Sequence, residues 1–109
     1  MDKRQTFERV RAHLTAQGQR STTDRHGRQI CAYRGDGGRM CAAGTLIPDA
    51  LYDDRMEGET IDLLLERWPQ LAHHLQPVAM VRDLQFIHDH TPADEWPERL
   101  AALAEVHGV

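Results

Sequence analysis

Residues 78–90 read VAMVRDLQFIHDH, and this stretch determines how the rest of the chain can pack. Mostly apolar residues recur at helical spacing in two stripes along it. One stripe contains Val78, Val81, Leu84 and His88, and the other contains Met80, Leu84 and Ile87. A face this broad is typical of a helix that is buried on two sides. We therefore predict a central helix that begins after Pro77 and ends near His88–His90.

Capping signals define the helices that precede this segment. Asp2 followed by Gln5 resembles a capping box, and Gly18 ends the apolar periodicity that follows it. Further along, Thr60 can cap a helix that Pro69 stops. The sequence therefore predicts an N-terminal helix and a second helix before the central one.

The last helix is expected to begin near Trp96, with Pro97 at its first position, and to end at Gly108. Residues 44–52 are interpreted as a short helix or turn, and one further helical turn follows Pro69. The sequence therefore predicts about five helices in all.

A glycine-rich turn at residues 35–38 predicts the β-structure of the chain. The segments on either side, 29–34 and 39–43, are interpreted as the two strands of a short antiparallel hairpin, and residues 19–29 as a loop. A two-stranded hairpin is not stable alone, so helices must cover one face of it. The predicted fold is a mostly helical α+β domain that spans residues 1–109 as a single unit.

The two cysteines, Cys31 and Cys41, flank the same turn. A regular turn would direct them to opposite faces of the predicted hairpin, whereas a one-residue bulge would place them opposite each other. Their spacing does not match a zinc motif, in which two cysteines lie a few residues apart. We therefore expect buried, reduced thiols, with no metal and no cofactor.

Composition limits the class of protein. The chain has 109 residues, of which 40% are hydrophobic and 28% are charged, which is typical of a globular domain. No apolar stretch approaches the length of a membrane span, and no apolar segment follows Met1–Gln5 as it would in a secretory signal. A cytoplasmic location and no membrane contact are therefore expected.

Charge is distributed unevenly along the chain. Residues 1–40 hold nine Lys and Arg against four Asp and Glu, whereas residues 41–109 hold four against thirteen, which together give the net charge of −4. In a domain this small the basic and acidic parts must touch. We therefore expect much of this charge to be neutralised internally.

One group of motifs resembles a known family. Residues 31–34 read CAYR, residues 39–49 read RMCAAGTLIPD, Tyr52 follows, and residues 56–58 read MEG. This pattern of C-x-Y-R, a glycine turn, C-A-x-G-x-L-I-P-D-x-x-Y and E-G resembles that of a family of small phage and prophage proteins. The later LQFIHD at residues 84–89 also resembles that family, so the resemblance covers nearly the whole chain after about residue 7.

The resemblance implies a context rather than a chemistry. It implies a protein of the bacterial cytoplasm that is encoded by a mobile element. Small proteins in that context often bind and inhibit a component of the host or of its defence system, which is an associational argument.

Most of the motif residues are expected to maintain the fold. These residues are Cys31, Tyr33, Cys41, Gly44, Pro48, Asp49, Tyr52, Gly58, Gln85, His88 and Asp89. Gly44 would allow a close backbone approach. Gln85 and His88 would satisfy the backbone of nearby loops.

Arg34 and Arg39 flank the glycine turn. A guanidinium fork matches a carboxylate, so these arginines are expected to pair with Asp49 or Glu57 and to form an internal latch that includes Tyr52. If these groups instead line an open cleft, they become the best candidate contact site of the chain.

An enzymatic interpretation would make Cys41 a nucleophile, His88 its base and Asp89 the residue that orients the base. Adjacent helical residues point about 100° apart, which argues against a His88–Asp89 pair. This hypothesis ranks third, together with a metal site at His88, Asp89 and His90 that would require the helix to end there and the chain to bend. A non-catalytic protein is expected.

The first hypothesis is stoichiometric binding to an unknown host or defence protein. The candidate contact residues are Arg34, Arg39, Asp53, Asp54, Glu57 and Glu59. The alternative is nucleic-acid binding through arginines of the first segment, namely Arg9, Arg11, Arg20, Arg25, Arg28, Arg34 and Arg39. The acidic pI of about 5.9 disfavours that alternative.

Overall fold

The computed structural model describes residues 1–109 and is an α+β fold with four α-helices. The helices are α1 (Lys3–Gln17), α2 (Ile61–Arg67), α3 (Val78–His90) and α4 (Trp96–His107), and the strands are β1 (Thr22–Arg25) and β2 (Arg28–Cys31). The prediction of about five helices is wrong in number because Gly44–Leu46, Asp49–Leu51 and Pro69–His73 form only short 3₁₀ turns. No helix combines the length and apolarity that a membrane crossing requires.

Local capping determines the helix ends, as the sequence predicts. The Asp2 carboxylate accepts the N–H of Gln5 at 2.9 Å, and the Gln5 side chain returns a bond of 2.9 Å to the N–H of Asp2. Gly18 ends α1 in the left-handed conformation, with φ at 68°. Thr60 Oγ1 accepts the N–H of Leu63 at 3.2 Å at the start of α2.

The hairpin lies upstream of the predicted position. Strands β1 and β2 pair antiparallel, with Thr22 opposite Cys31 and Arg25 opposite Arg28. The turn between them consists of His26 and Gly27, at φ of 55° and 78°, and two positive φ values are typical of a type I′ hairpin turn. The expectation of a loop over residues 19–29 is therefore wrong.

The glycine-rich segment does not join two strands. Asp36–Gly38 form a 3₁₀ turn, and one isolated bridge between Arg34 and Met40 is the only ladder contact across it. The backbone N–H groups of Tyr33 and Arg34 donate to the Glu57 carboxylate instead of to a partner strand. The predicted hairpin over residues 29–43 is wrong because this buried acceptor replaces the ladder.

Helix α3 is central, as predicted. Met80, Val81, Leu84, Ile87 and His88 are buried, and α3 packs against α1 and α4. These side chains, apart from the polar His88, belong to one apolar cluster of 20 buried residues, which also receives residues from the turns over residues 41–56. One side of α3 stays open, because Phe86 is 62% exposed.

Candidate functional site

Arg34 ties the motif segments together. Its guanidinium donates to the carbonyl of Gly44, to the carbonyl of Ile47 at 2.7 Å and to Asp49 Oδ1 at 3.0 Å. It also lies 5.0 Å from the centre of the Tyr52 ring, within the range of a cation–π contact. The arginine of the C-x-Y-R motif therefore holds the two 3₁₀ turns in place.

Gly44 permits the approach that this clamp requires. A Cβ at this position would lie 2.2 Å from the backbone oxygen of Tyr33. No side chain fits there without a backbone shift, so the expectation of a close approach at Gly44 is confirmed.

Glu57 completes the internal latch. Its side chain is buried and accepts the N–H of Tyr33 at 2.8 Å, the N–H of Arg34 at 3.0 Å and the hydroxyl of Tyr52 at 2.6 Å. Burial and the Glu57 carboxylate raise the pKa of the Tyr52 hydroxyl, which therefore stays a donor. Arg39 lies outside this latch, since it donates to the carbonyl of Asp36 and to Gln19.

His88 forms the centre of a second network. Its Nε2 accepts the backbone N–H of Ser21 at 2.9 Å, so the ring proton lies on Nδ1, which donates to Asp89 Oδ1 at 2.7 Å. The expectation that adjacent helical residues cannot easily pair is wrong here. Nδ1 is the ring nitrogen nearest the backbone, and a short aspartate side chain beside it can reach that nitrogen.

Gln85 extends this network to the motif loop. Its Oε1 accepts the N–H of Ala43 at 2.8 Å, and its Nε2 donates to Asp89 Oδ1 at 2.9 Å. The expectation that Gln85 and His88 satisfy loop backbone is therefore confirmed. Burial opposes the charge on Asp89, but the hydrogen bonds from His88 and Gln85 outweigh it and hold the pKa of this carboxyl below its usual value.

The fold brings Cys31, His88 and Asp89 together, with one ligating atom of each within 4.8 Å of the others. The sequence does not reveal this cluster, because Cys31 lies on β2 and the other two residues on α3. A metal at His88 would need one nitrogen free, yet Nε2 is an acceptor and Nδ1 carries the proton that Asp89 holds. His88 and Asp89 are therefore engaged in hydrogen bonds within the fold.

Both thiols lie in surroundings that keep them protonated. Burial, together with the nearby Asp89, raises the pKa of Cys31 to about 11, and burial raises that of Cys41 to about 12. The Cys41 Sγ accepts the N–H of Gly44 at 3.3 Å. The thiolate, which is the nucleophilic form of cysteine, is therefore disfavoured at both positions. Cys31, rather than Cys41, is the thiol beside His88 and Asp89.

The acidic segment predicted as a contact surface is largely occupied internally. Asp53 pairs with Arg55 at 2.7 Å, and the hydrogen bonds from Arg55 lower the pKa of Asp53 to about 2. Glu59 lies 3.4 Å from Arg67, and Glu57 is buried in the latch. Asp54 alone in this set is exposed and has no cationic partner.

The two charged parts of the chain do not neutralise each other as expected. Arg34–Asp49 is the single ion pair that joins residues 1–40 to the rest of the chain. Within the first segment only Arg11 has another carboxylate partner, Glu8. The cations without one are Lys3, Arg4, Arg9, Arg20, Arg25, Arg28 and Arg39. Every arginine after residue 40 is paired, namely Arg55, Arg67, Arg82 and Arg99.

Four of these arginines without a carboxylate partner lie on connected segments, and we call them the basic surface: Arg20, Arg25, Arg28 and Arg39. Arg39 donates to Gln19 Oε1 at 2.8 Å, immediately before Arg20. Thr23 Oγ1 donates to Asp36 Oδ1 at 3.2 Å, which joins the hairpin to the loop that carries Arg39. Sequence alone placed these arginines in one segment but could not show that they lack carboxylate partners, or that Arg20 Nε donates to the carbonyl of His88 at 3.0 Å.

Comparison of the chain with profiles of protein families, with curated proteins and with solved structures found no match. The resemblance to small phage proteins therefore stays a prediction.

Proposed function

We propose that this protein acts by stoichiometric binding, and that its basic surface contacts an acidic surface of a partner protein. The observation that carries the proposal is the pair Arg25–Arg28. These exposed residues lie directly opposite each other at the tip of the hairpin, and neither contacts a carboxylate.

Like charges that face each other across two strands destabilise a hairpin. The Arg25–Arg28 pair therefore does not stabilise the unbound protein. An anionic partner would remove the repulsion, and guanidinium groups recognise carboxylates in a bidentate geometry.

The remaining charges favour oriented binding. Most exposed carboxylates without cationic partners lie away from the hairpin, namely Asp2, Asp54, Glu66, Asp94, Glu98 and Glu105, whereas Asp24 lies on β1 and Asp36 on the loop that carries Arg39. A molecule with a basic surface at the hairpin and acidic groups elsewhere is steered towards an acidic partner in one orientation.

A protein partner fits the charge balance better than a nucleic acid. The net charge is −4, and the Phe, Tyr or Trp residue closest in sequence, Tyr33, is buried and cannot stack on a base. Nucleic acid is the second candidate because a two-stranded β-ribbon with exposed arginines has the width of a major-groove reader.

The absence of catalysis belongs to this proposal. The protonated thiols and the fully engaged imidazole of His88 support it. The phage-like motifs favour a protein of the bacterial host, or of its defence system, as the partner in the cytoplasm.

The test is capture from a nuclease-treated bacterial lysate with the immobilised protein. The variant Arg25→Glu/Arg28→Glu should lose the captured protein. The matched control Arg4→Glu/Arg11→Glu changes the same number of charges on the exposed face of α1 and should retain it. Equal capture by both variants would reject the basic surface, and capture that requires intact nucleic acid would favour the second candidate.

A further inference from the structure

Helices α3 and α4 form an antiparallel pair with an open groove between them. His107 Nε2 lies 2.9 Å from Asp83 Oδ2 at one end, and Trp96 Nε1 donates to the carbonyl of Thr91 at 3.0 Å at the other. The groove has a volume of about 370 Å³ and is lined by Asp83 and Phe86 of α3 and by Arg99, Ala102, Leu103 and Val106 of α4. The lining residues of α4 recur at i, i+3, i+4 and i+7, as they do in a helix that packs on a second partner.

The two ends of the groove differ in shape. Phe86 is 62% exposed and Val106 is 76% exposed, and both lie towards the end marked by Asp83 and His107. The other half presents the small residue Ala102 and the buried Thr91. One half of the groove therefore projects large apolar side chains, and the other half leaves room for them.

The two ends also differ in charge. Asp83 lies at the end with the large side chains, and Arg99 lies at the opposite end. Arg99 is exposed and reaches Glu95 only at 3.4 Å. Seven residues at 1.5 Å each separate Arg99 from Val106, so the groove runs for about 10 Å along α4.

We propose that a second copy of this chain occupies the groove. A two-fold axis perpendicular to the groove exchanges its ends, as in an isologous dimer. Helix α3 of each copy then lies over α3 of the other, which brings Asp83 of each copy to the groove end that carries Arg99 of the other, and Phe86 of each copy to the half that carries Ala102. The result is a four-helix interface built from two α3–α4 pairs.

The first experiment measures the mass of the purified full-length protein by sedimentation velocity over a range of concentrations. The protein should shift from monomer to dimer as its concentration rises. Phe86→Asp should weaken the dimer about tenfold or more, because it places a charge where an aromatic side chain is buried. The matched control Leu63→Asp changes an apolar side chain on α2, 40% exposed and outside the groove, and should leave the dimer unchanged.

The second experiment tests the register. Asp83→Arg and Arg99→Asp should each weaken the dimer, and the double variant should restore it, because the exchanged charges face each other again. Circular dichroism confirms that each variant is folded. A protein that stays monomeric at every concentration, a dimer that tolerates Phe86→Asp, or a double variant no better than the single ones would overturn the proposal.

Discussion

His88 Nε2 accepts the backbone N–H of Ser21 at 2.9 Å, a contact that joins the end of the central helix to the segment entering the hairpin. The bond fixes the neutral tautomer of a fully buried ring and directs its other nitrogen to Asp89. A polar network in the core thus orients the β-hairpin that carries the basic surface.

Removal of this imidazole should be costly. His88→Ala leaves the Ser21 N–H without its acceptor, the Asp89 carboxylate without a donor, and a cavity in the core. We expect a loss of about 3 kcal/mol in the free energy of unfolding, measured by urea denaturation. His90→Ala removes an exposed ring on the same helix and should change stability by less than about 0.5 kcal/mol. Similar losses in both variants would contradict the role of His88.

Gly44 should not tolerate a side chain. Gly44→Ala places a Cβ against the backbone oxygen of Tyr33, and we expect a loss of about 3 kcal/mol or failure to fold. The control Gly37→Ala meets no atom within 4 Å and carries only the cost of a φ of 70°, about 1 kcal/mol. Thermal unfolding should give a lower melting temperature for Gly44→Ala than for Gly37→Ala, and equal melting temperatures would refute the close contact.

The thiols should resist alkylation. With the pKa of Cys31 raised to about 11 and that of Cys41 to about 12, little thiolate exists at pH 8. We expect iodoacetamide to label the native protein at least about tenfold more slowly than the unfolded chain, as followed by mass spectrometry. The raised pKa values of the two thiols also contribute to the free energy of unfolding. This contribution is present below the ordinary thiol pKa of about 8.5 and declines as the pH rises above that value. Fast labelling of native Cys31 would contradict this environment.

Acid should weaken the Asp89 network. The pKa of Asp89 is depressed in the folded state, so its contribution to stability is present above the usual value of about 3.9 and is lost as the pH falls through the folded value. When the pH is lowered from 6.5 to 3, the free energy of unfolding should decrease less in the Asp89→Asn variant than in the unmodified protein. Asp94→Asn, at an exposed carboxylate, should behave like the unmodified protein, and the opposite order would reject the assignment.

The helices could be predicted from the sequence because their signals are local. These signals are the Asp2–Gln5 capping box, the Thr60 cap and the apolar stripes of residues 78–90, and each acts over three to eight positions. Each of these three helices lies where its signal predicts it. The Arg34–Asp49 pair of the internal latch followed from complementary charges, whereas Glu57 accepts backbone N–H groups and the Tyr52 hydroxyl instead of a guanidinium.

The strand pairing could not be predicted in the same way. The sequence predicted that residues 29–34 pair with residues 39–43 across the glycine turn, and residues 19–29 were interpreted as a loop. The upstream His26–Gly27 turn forms a hairpin, while Glu57, distant in sequence, takes the N–H groups that a downstream pairing would need. Tertiary structure decided this competition because a buried carboxylate must accept hydrogen bonds wherever donors lie within reach.

The sequence by itself determined the helices, their caps and the uneven division of charge between residues 1–40 and 41–109. Only the tertiary structure decided which charges found partners and which apolar side chains, such as Phe86, stayed exposed. The physical reason is range: capping and helical periodicity act within a few residues, whereas ion pairing and burial depend on distances that the whole fold establishes.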